Sequence, residues 1–61
     1  MRSYRCCLFD DEGRIKAAVD LYLTSDDAAR ELAGDLLHRS DCTLAEVWKG
    51  SEMVFLTGRA D

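Results

Sequence analysis

The fold is decided by residues 15–37, which read IKAAVDLYLTSDDAARELAGDLL. From Ile15 to Leu23, apolar side chains recur at every second position, as in a strand with one buried face. After Ser25, the apolar residues recur at intervals of one, three and four, which is the period of an amphipathic helix. The change of period predicts a strand that runs almost directly into a helix.

Polar residues between the two periods predict where the helix begins. The hydroxyl of Thr24 or Ser25 can accept a hydrogen bond from a free amide of the first turn, and Asp26 and Asp27 favour the positive end of the helix dipole. We expect the buried stripe of the helix to consist of Ala28, Ala29, Leu32, Ala33, Leu36 and Leu37. The small side chains of this stripe, together with Gly34, predict a close approach of the helix to another backbone.

A hairpin precedes the helix. Residues 3–9 favour a strand, and the sequence DDEG at residues 10–13 predicts a tight turn, because Asp bonds the backbone that follows it and Gly13 accepts a positive φ. The second strand of this hairpin is the alternating segment Ile15–Leu23, with Ile15 on the same face as Val19 and Leu21. The strand over residues 3–9 carries apolar side chains on both faces, which is typical of a central strand.

A second hairpin follows the helix, with strands at residues 42–49 and 52–57. The residues Gly50 and Ser51 form a favoured two-residue loop, which fixes the register of the two strands. The predicted cross-strand pairs are Lys49–Glu52, Trp48–Met53, Val47–Val54, Glu46–Phe55 and Ala45–Leu56. In this register the aromatic rings of Trp48 and Phe55 lie on the same face of the sheet.

These elements predict a single α+β domain over residues 1–61, with the order β-β-α-β-β. A right-handed crossover by the helix makes the second and third strands parallel to each other and leaves room for the first strand between them. The expected result is a four-stranded antiparallel sheet in the order 2-1-3-4, with one helix on one face.

One helix covers only one face of such a sheet, so the other face is expected to remain apolar and uncovered. The candidate interface residues on that face are Tyr22, Leu44, Trp48, Met53 and Phe55. A small monomer rarely exposes so large an apolar patch, and aromatic residues and Met are enriched at interface centres. We expect a homodimer formed through this face. The alternatives are an adaptor or antitoxin-like regulator that binds a heterologous protein, an apolar small molecule on the face, or partial cover by residues 58–61 or by a reorientation of side chains.

Length and charge exclude several classes of protein. A chain of 61 residues is too short for large catalytic folds, and its apolar runs are far shorter than the roughly 20 residues that span a bilayer. The chain has 8 Lys and Arg against 12 Asp and Glu, a net charge of −4, which disfavours nucleic acid because no basic field neutralises phosphates. Three cysteines without metal-ligand spacing suit a reducing compartment. We therefore expect a cytoplasmic protein with no membrane or nucleic-acid partner.

Residues that bear chemistry do not form a recognisable site. His38 is the single histidine and Cys42 lies four residues later, which allows a Cys–His nucleophile, but a histidine in the last helical turn more often serves the helix dipole. Aligning Gly13 with the glycine of a calcium loop places Leu8 and Val19 where the essential carboxylates belong. We expect no catalytic, cofactor-binding or metal-binding residue, and no enzymatic activity.

Three segments resemble those of a known group of proteins. The helix start SDDAAREL at residues 25–32 and the closing EVWKG at residues 46–50, together with the Asp-rich hairpin turn, resemble very small bacterial proteins of unknown function from rhizobia-like bacteria. The resemblance spans nearly the whole chain and implies a compact ββαββ domain. It implies no active-site residue. The hairpin and helix also resemble the beginning of small antitoxin-type domains, whereas the second hairpin departs from their layout.

Overall fold

The computed structural model of the protein describes residues 1–59. It contains four strands and one helix, namely β1 (Arg2–Phe9), β2 (Ile15–Leu23), α1 (Asp26–Arg39), β3 (Leu44–Lys49) and β4 (Glu52–Gly58). The strands form one antiparallel sheet in the order β2-β1-β3-β4, and the fold is α+β, as predicted. Among these residues, no helix is long and apolar enough to cross a membrane.

The turn between β1 and β2 has the chemistry that its sequence predicts. The Asp10 carboxylate accepts hydrogen bonds from the backbone N–H groups of Glu12 and Arg14, both at 2.9 Å, and Gly13 has a φ of +81°. The ladder then shifts by one residue, because Leu8 pairs with Ala17 while Phe9 pairs with Ile15. This bulge places Ile15 on the face of Phe9, so the prediction that Ile15 shares a face with Val19 and Leu21 is wrong.

The helix begins where the change of period predicts. The Ser25 hydroxyl oxygen accepts a hydrogen bond from the Ala28 N–H at 3.1 Å, and Asp26 and Asp27 lie in the first turn. The buried side chains of the helix are Ala29, Ala33 and Leu37. The predicted close approach at Gly34 is wrong, because Gly34 is exposed and no atom of residues 1–59 beyond its own helical surroundings lies within 4 Å of its Cβ position.

The second hairpin closes as predicted but has a different register beyond its loop. Gly50 has a φ of +64°, and the pairs Lys49–Glu52 and Trp48–Met53 are present. A bulge then inserts one residue into β4. The remaining observed pairs are Val47–Phe55, Glu46–Leu56, Ala45–Thr57 and Leu44–Gly58. The predicted pairs Val47–Val54, Glu46–Phe55 and Ala45–Leu56 are therefore wrong.

The core lies between the helix and one face of the sheet. Its most buried side chains are Tyr4, Cys6, Leu8, Leu21, Ala29, Ala33, Leu37, Cys42, Ala45 and Val47. Val19, Leu23, Leu32, Leu36, Val54 and Phe55 pack against them and are half-buried. The core is small because the alanines of the helix and Ala45 contribute little apolar area. The other face of the sheet has no element of residues 1–59 above it.

Candidate protein interface

The uncovered side of the sheet, which we call the open face, carries the side chains that alternate with those of the core. Its members are Ser3, Arg5, Cys7 and Phe9 of β1, Ile15, Ala18, Asp20 and Tyr22 of β2, Leu44, Glu46 and Trp48 of β3, and Met53 and Leu56 of β4. Four large apolar side chains are strongly exposed there: Tyr22 at 64%, Ile15 at 57%, Leu56 at 51% and Met53 at 43%. Most of the exposed large apolar side chains of residues 1–59 therefore lie on the open face.

Four of the five predicted interface residues lie on the open face. Tyr22 and Met53 are exposed, and Leu44 and Trp48 are half-buried. The fifth, Phe55, is a correction: it pairs with the buried Val47 and packs against the core on the helix side. The bulge in β4 turns Phe55 away from the open face.

Phe55 has a specific partner on the helix side. The guanidinium carbon of Arg30 lies 4.8 Å from the centroid of the Phe55 ring, which is the geometry of a cation–π contact. Reasoning from sequence also missed Leu56 and Ile15, which the two bulges bring onto the open face. No residue in the sequence marks either bulge, because Lys16 and Val54 are both ordinary strand residues.

Four polar side chains of the open face pair with one another. Arg5 Nε lies 3.0 Å from Asp20 Oδ1, and the Trp48 indole N–H donates to Glu46 Oε1 at 3.0 Å. These pairings lower the cost of burying the four side chains under a partner, compared with burying them unpaired.

A groove of about 410 Å³ crosses one part of the open face. It is lined by Ser3, Tyr4, Arg5, Cys7, Asp20, Trp48 and Gly50. The small residues Ser3 and Gly50 lie beside Trp48 in its lining. Cys7, on its floor, is a free and half-buried thiol, whereas Cys6 and Cys42 are free and buried.

A separate cluster joins the helix to the sheet at the start of the helix. The Tyr4 hydroxyl donates a hydrogen bond to Asp26 Oδ1, and Arg2 NH1 and Lys49 Nζ each lie 3.7 Å from the same oxygen. This hydrogen bond lowers the pKa of the Asp26 carboxyl and raises the pKa of the Tyr4 hydroxyl. Asp26 of the helix thus contacts Tyr4 and Arg2 of β1 and Lys49 of β3. These contacts hold the start of the helix against the two strands.

The two residues considered for catalysis differ in exposure. Cys42 is buried in the core, and His38 is exposed at the end of the helix. Burial raises the pKa of the Cys6 thiol, which makes it a poor nucleophile. Within the described range, no group of three or more His, Cys, Asp or Glu side chains is arranged to hold a metal ion.

The described part of the C-terminus lies on the helix side. Gly58 ends β4, and the Arg59 guanidinium donates hydrogen bonds of 2.8–3.0 Å to the backbone carbonyls of Leu37, His38 and Ser40. These bonds satisfy carbonyls that a helix end leaves free. Cover of the open face by residues 58 and 59 is therefore wrong; residues 60 and 61, also part of that prediction, lie outside the described residues.

No protein-family model, curated protein or solved structure matches the chain. The resemblance to very small bacterial proteins stays a prediction.

Proposed function

We propose that the protein is an interaction module that forms a homodimer by packing the open faces of two copies against each other. The observation that carries the proposal is the set of four exposed apolar side chains around the half-buried Trp48, on a face where Arg5 and Asp20 form an ion pair. Contact with a second copy removes this apolar surface from water at about 25 cal/mol per Å².

The size of the open face supports this occupant. Four strands about 4.8 Å apart, with about 3.3 Å per residue, make a face of on the order of 500 Å² in projection, and the protruding side chains increase its area. Two such faces approach the roughly 1,200 Å² at which specific stable interfaces begin. We therefore expect a weak dimer, with a Kd of about micromolar order.

The small core supports the same conclusion. A chain of 61 residues buries only about 60% of the surface of its unfolded form, and several of its core residues are alanines. Sheet-to-sheet packing gives each copy a second apolar layer, which is a common way in which small domains gain stability. The proposal includes a cytoplasmic location, supported by the three free cysteines, and a binding rather than catalytic role, supported by the burial of Cys42 in the core.

Thiol labelling tests whether the open face is the surface used. Cys7 lies on this face, and the other two cysteines are buried, so Cys7 is expected to react first with a thiol reagent. If dimers cover the open face, the rate of Cys7 labelling falls as the protein concentration rises through the Kd. The Cys7→Ala variant is the control and should lose the fast phase.

A Cys7 labelling rate that is independent of concentration, in a protein that sediments as a dimer, would contradict the use of this face. A heterologous protein that protects Cys7, while the isolated chain stays monomeric, would favour the adaptor or antitoxin-like alternative.

A further inference from the structure

The pattern of large and small side chains on the open face determines how two copies fit together. The register aligns its side chains in three complete rows across the sheet, each from β2 to β4: Asp20–Arg5–Trp48–Met53, Ala18–Cys7–Glu46–Leu56 and Ile15–Phe9–Leu44–Gly58. The pair Tyr22–Ser3 lies beyond the first row, beside the Gly50 turn.

The two outer strands have opposite profiles along these rows. On β2 the exposed large side chains, Tyr22 and Ile15, lie at the two ends, while the small Ala18 and the short Asp20 lie between them. On β4 the large side chains, Met53 and Leu56, occupy the first two positions of the open face, and Gly58 ends the strand. Along the rows from Tyr22 to Ile15, β2 is therefore tall, low, low and tall. β4 has no residue level with Tyr22, where the Gly50 turn lies, and is then tall, tall and low.

We infer that the two-fold axis of the homodimer runs parallel to the strands, between β1 and β3, so that β2 of each copy lies on β4 of the other. This inference rests on the proposed homodimer. With an axis in this direction, each row of one copy lies over the same row of the second copy, and the order of the strands within the row is reversed. Met53 then lies over Asp20 of the second copy, Leu56 over Ala18, and Ile15 over Gly58, so each large side chain meets a low position.

The alternative axis, perpendicular to the strands, gives a poor fit. It places each strand over the same strand of the second copy and reverses the order of the rows. Met53 then meets Leu56, and Tyr22 meets Ile15, so that tall side chains hold the sheets apart while Ala18 and Asp20 face each other across a gap. Packing at interfaces matches the density of protein interiors, which this arrangement does not reach.

The inner strands agree with the axis along the strands. This axis places Trp48 over Arg5 of the second copy, within the groove that Arg5, Ser3 and Cys7 line. The groove, at about 410 Å³, has room for an indole ring, and a guanidinium below the ring makes a favourable cation–π contact. Phe9 and Leu44 of opposite copies then meet as an apolar pair.

Cross-linking between single-cysteine positions tests the direction of the axis. We suggest introducing Ala18→Cys and Leu56→Cys in separate chains that also carry Cys7→Ala, and mixing them at a concentration where they sediment as dimers. The reagent should join thiols about 10 Å apart, the spacing of packed sheets.

The expected product is a cross-linked heterodimer that forms only in the mixture. Self-cross-linking of Leu56→Cys alone, with no heterodimer, would overturn the inferred axis and indicate the perpendicular one. Absence of any cross-link in chains that sediment as dimers would also overturn it. Monomers at all concentrations would instead overturn the homodimer itself. An exposed helix position, Glu31→Cys, is the control and should give no cross-link.

Discussion

At the scale of single residues, Phe55 and its neighbour Leu56 have opposite roles. Phe55 packs against the core and under Arg30, whereas Leu56 is exposed on the open face. We predict that Phe55→Ala lowers the free energy of unfolding of the monomer by about 2–3 kcal/mol, somewhat less than a fully buried Phe, because it leaves a cavity beside Val47. Leu56→Ala should change it by less than about 0.5 kcal/mol.

The two substitutions should have the opposite order of effect on the dimerisation affinity. Leu56→Ala is expected to weaken the dimer, because it removes apolar area from the open face, while Phe55→Ala leaves that face intact. Urea unfolding of dilute protein measures the first effect, and sedimentation of concentrated protein measures the second. Equal loss of stability in the two variants would contradict the observed register of β4.

At the scale of elements, Gly34 weakens the helix without a compensating contact from the rest of residues 1–59. Within those residues a side chain at this position meets open space, and Gly costs about 1 kcal/mol relative to Ala within a helix. We predict that Gly34→Ala raises the free energy of unfolding by about 0.5–1 kcal/mol, measured by urea titration. Gly50→Ala is the matched control and should lower it, because Gly50 has a φ of +64°. A loss of stability in Gly34→Ala would contradict the open surroundings of this position.

The elements also show what sequence predicts and what it does not. The Ser25 cap, the Asp10 turn and the Gly50 loop follow from local hydrogen bonding and backbone preference, so all three were predictable. The two bulges depend on how the sheet twists and packs, and each turns the following side chains to the other face. The composition of the open face was therefore only partly predictable, with Phe55 wrongly included and Leu56 missed.

At the scale of the whole molecule, one helix on a four-stranded sheet divides the apolar residues between two faces and covers only one. The covered face is the core of the monomer, and the open face is the proposed contact with a second copy. On the open face Arg5 and Asp20 neutralise each other, and the Glu46 carboxylate accepts a hydrogen bond from the Trp48 indole, so little of the net charge of −4 lies in the proposed contact.

The most direct test of the homodimer is sedimentation equilibrium of the natural chain over about 1–500 µM, a range that brackets micromolar binding. The expected result is a mass that rises from the 6.9 kDa of one chain towards twice that value. Trp48→Glu and Met53→Glu should remain monomeric while retaining the circular dichroism spectrum of the fold, and Glu31→Gln on the helix should dimerise normally. A mass of 6.9 kDa at every concentration, or folded glutamate variants that dimerise like the natural chain, would contradict the account.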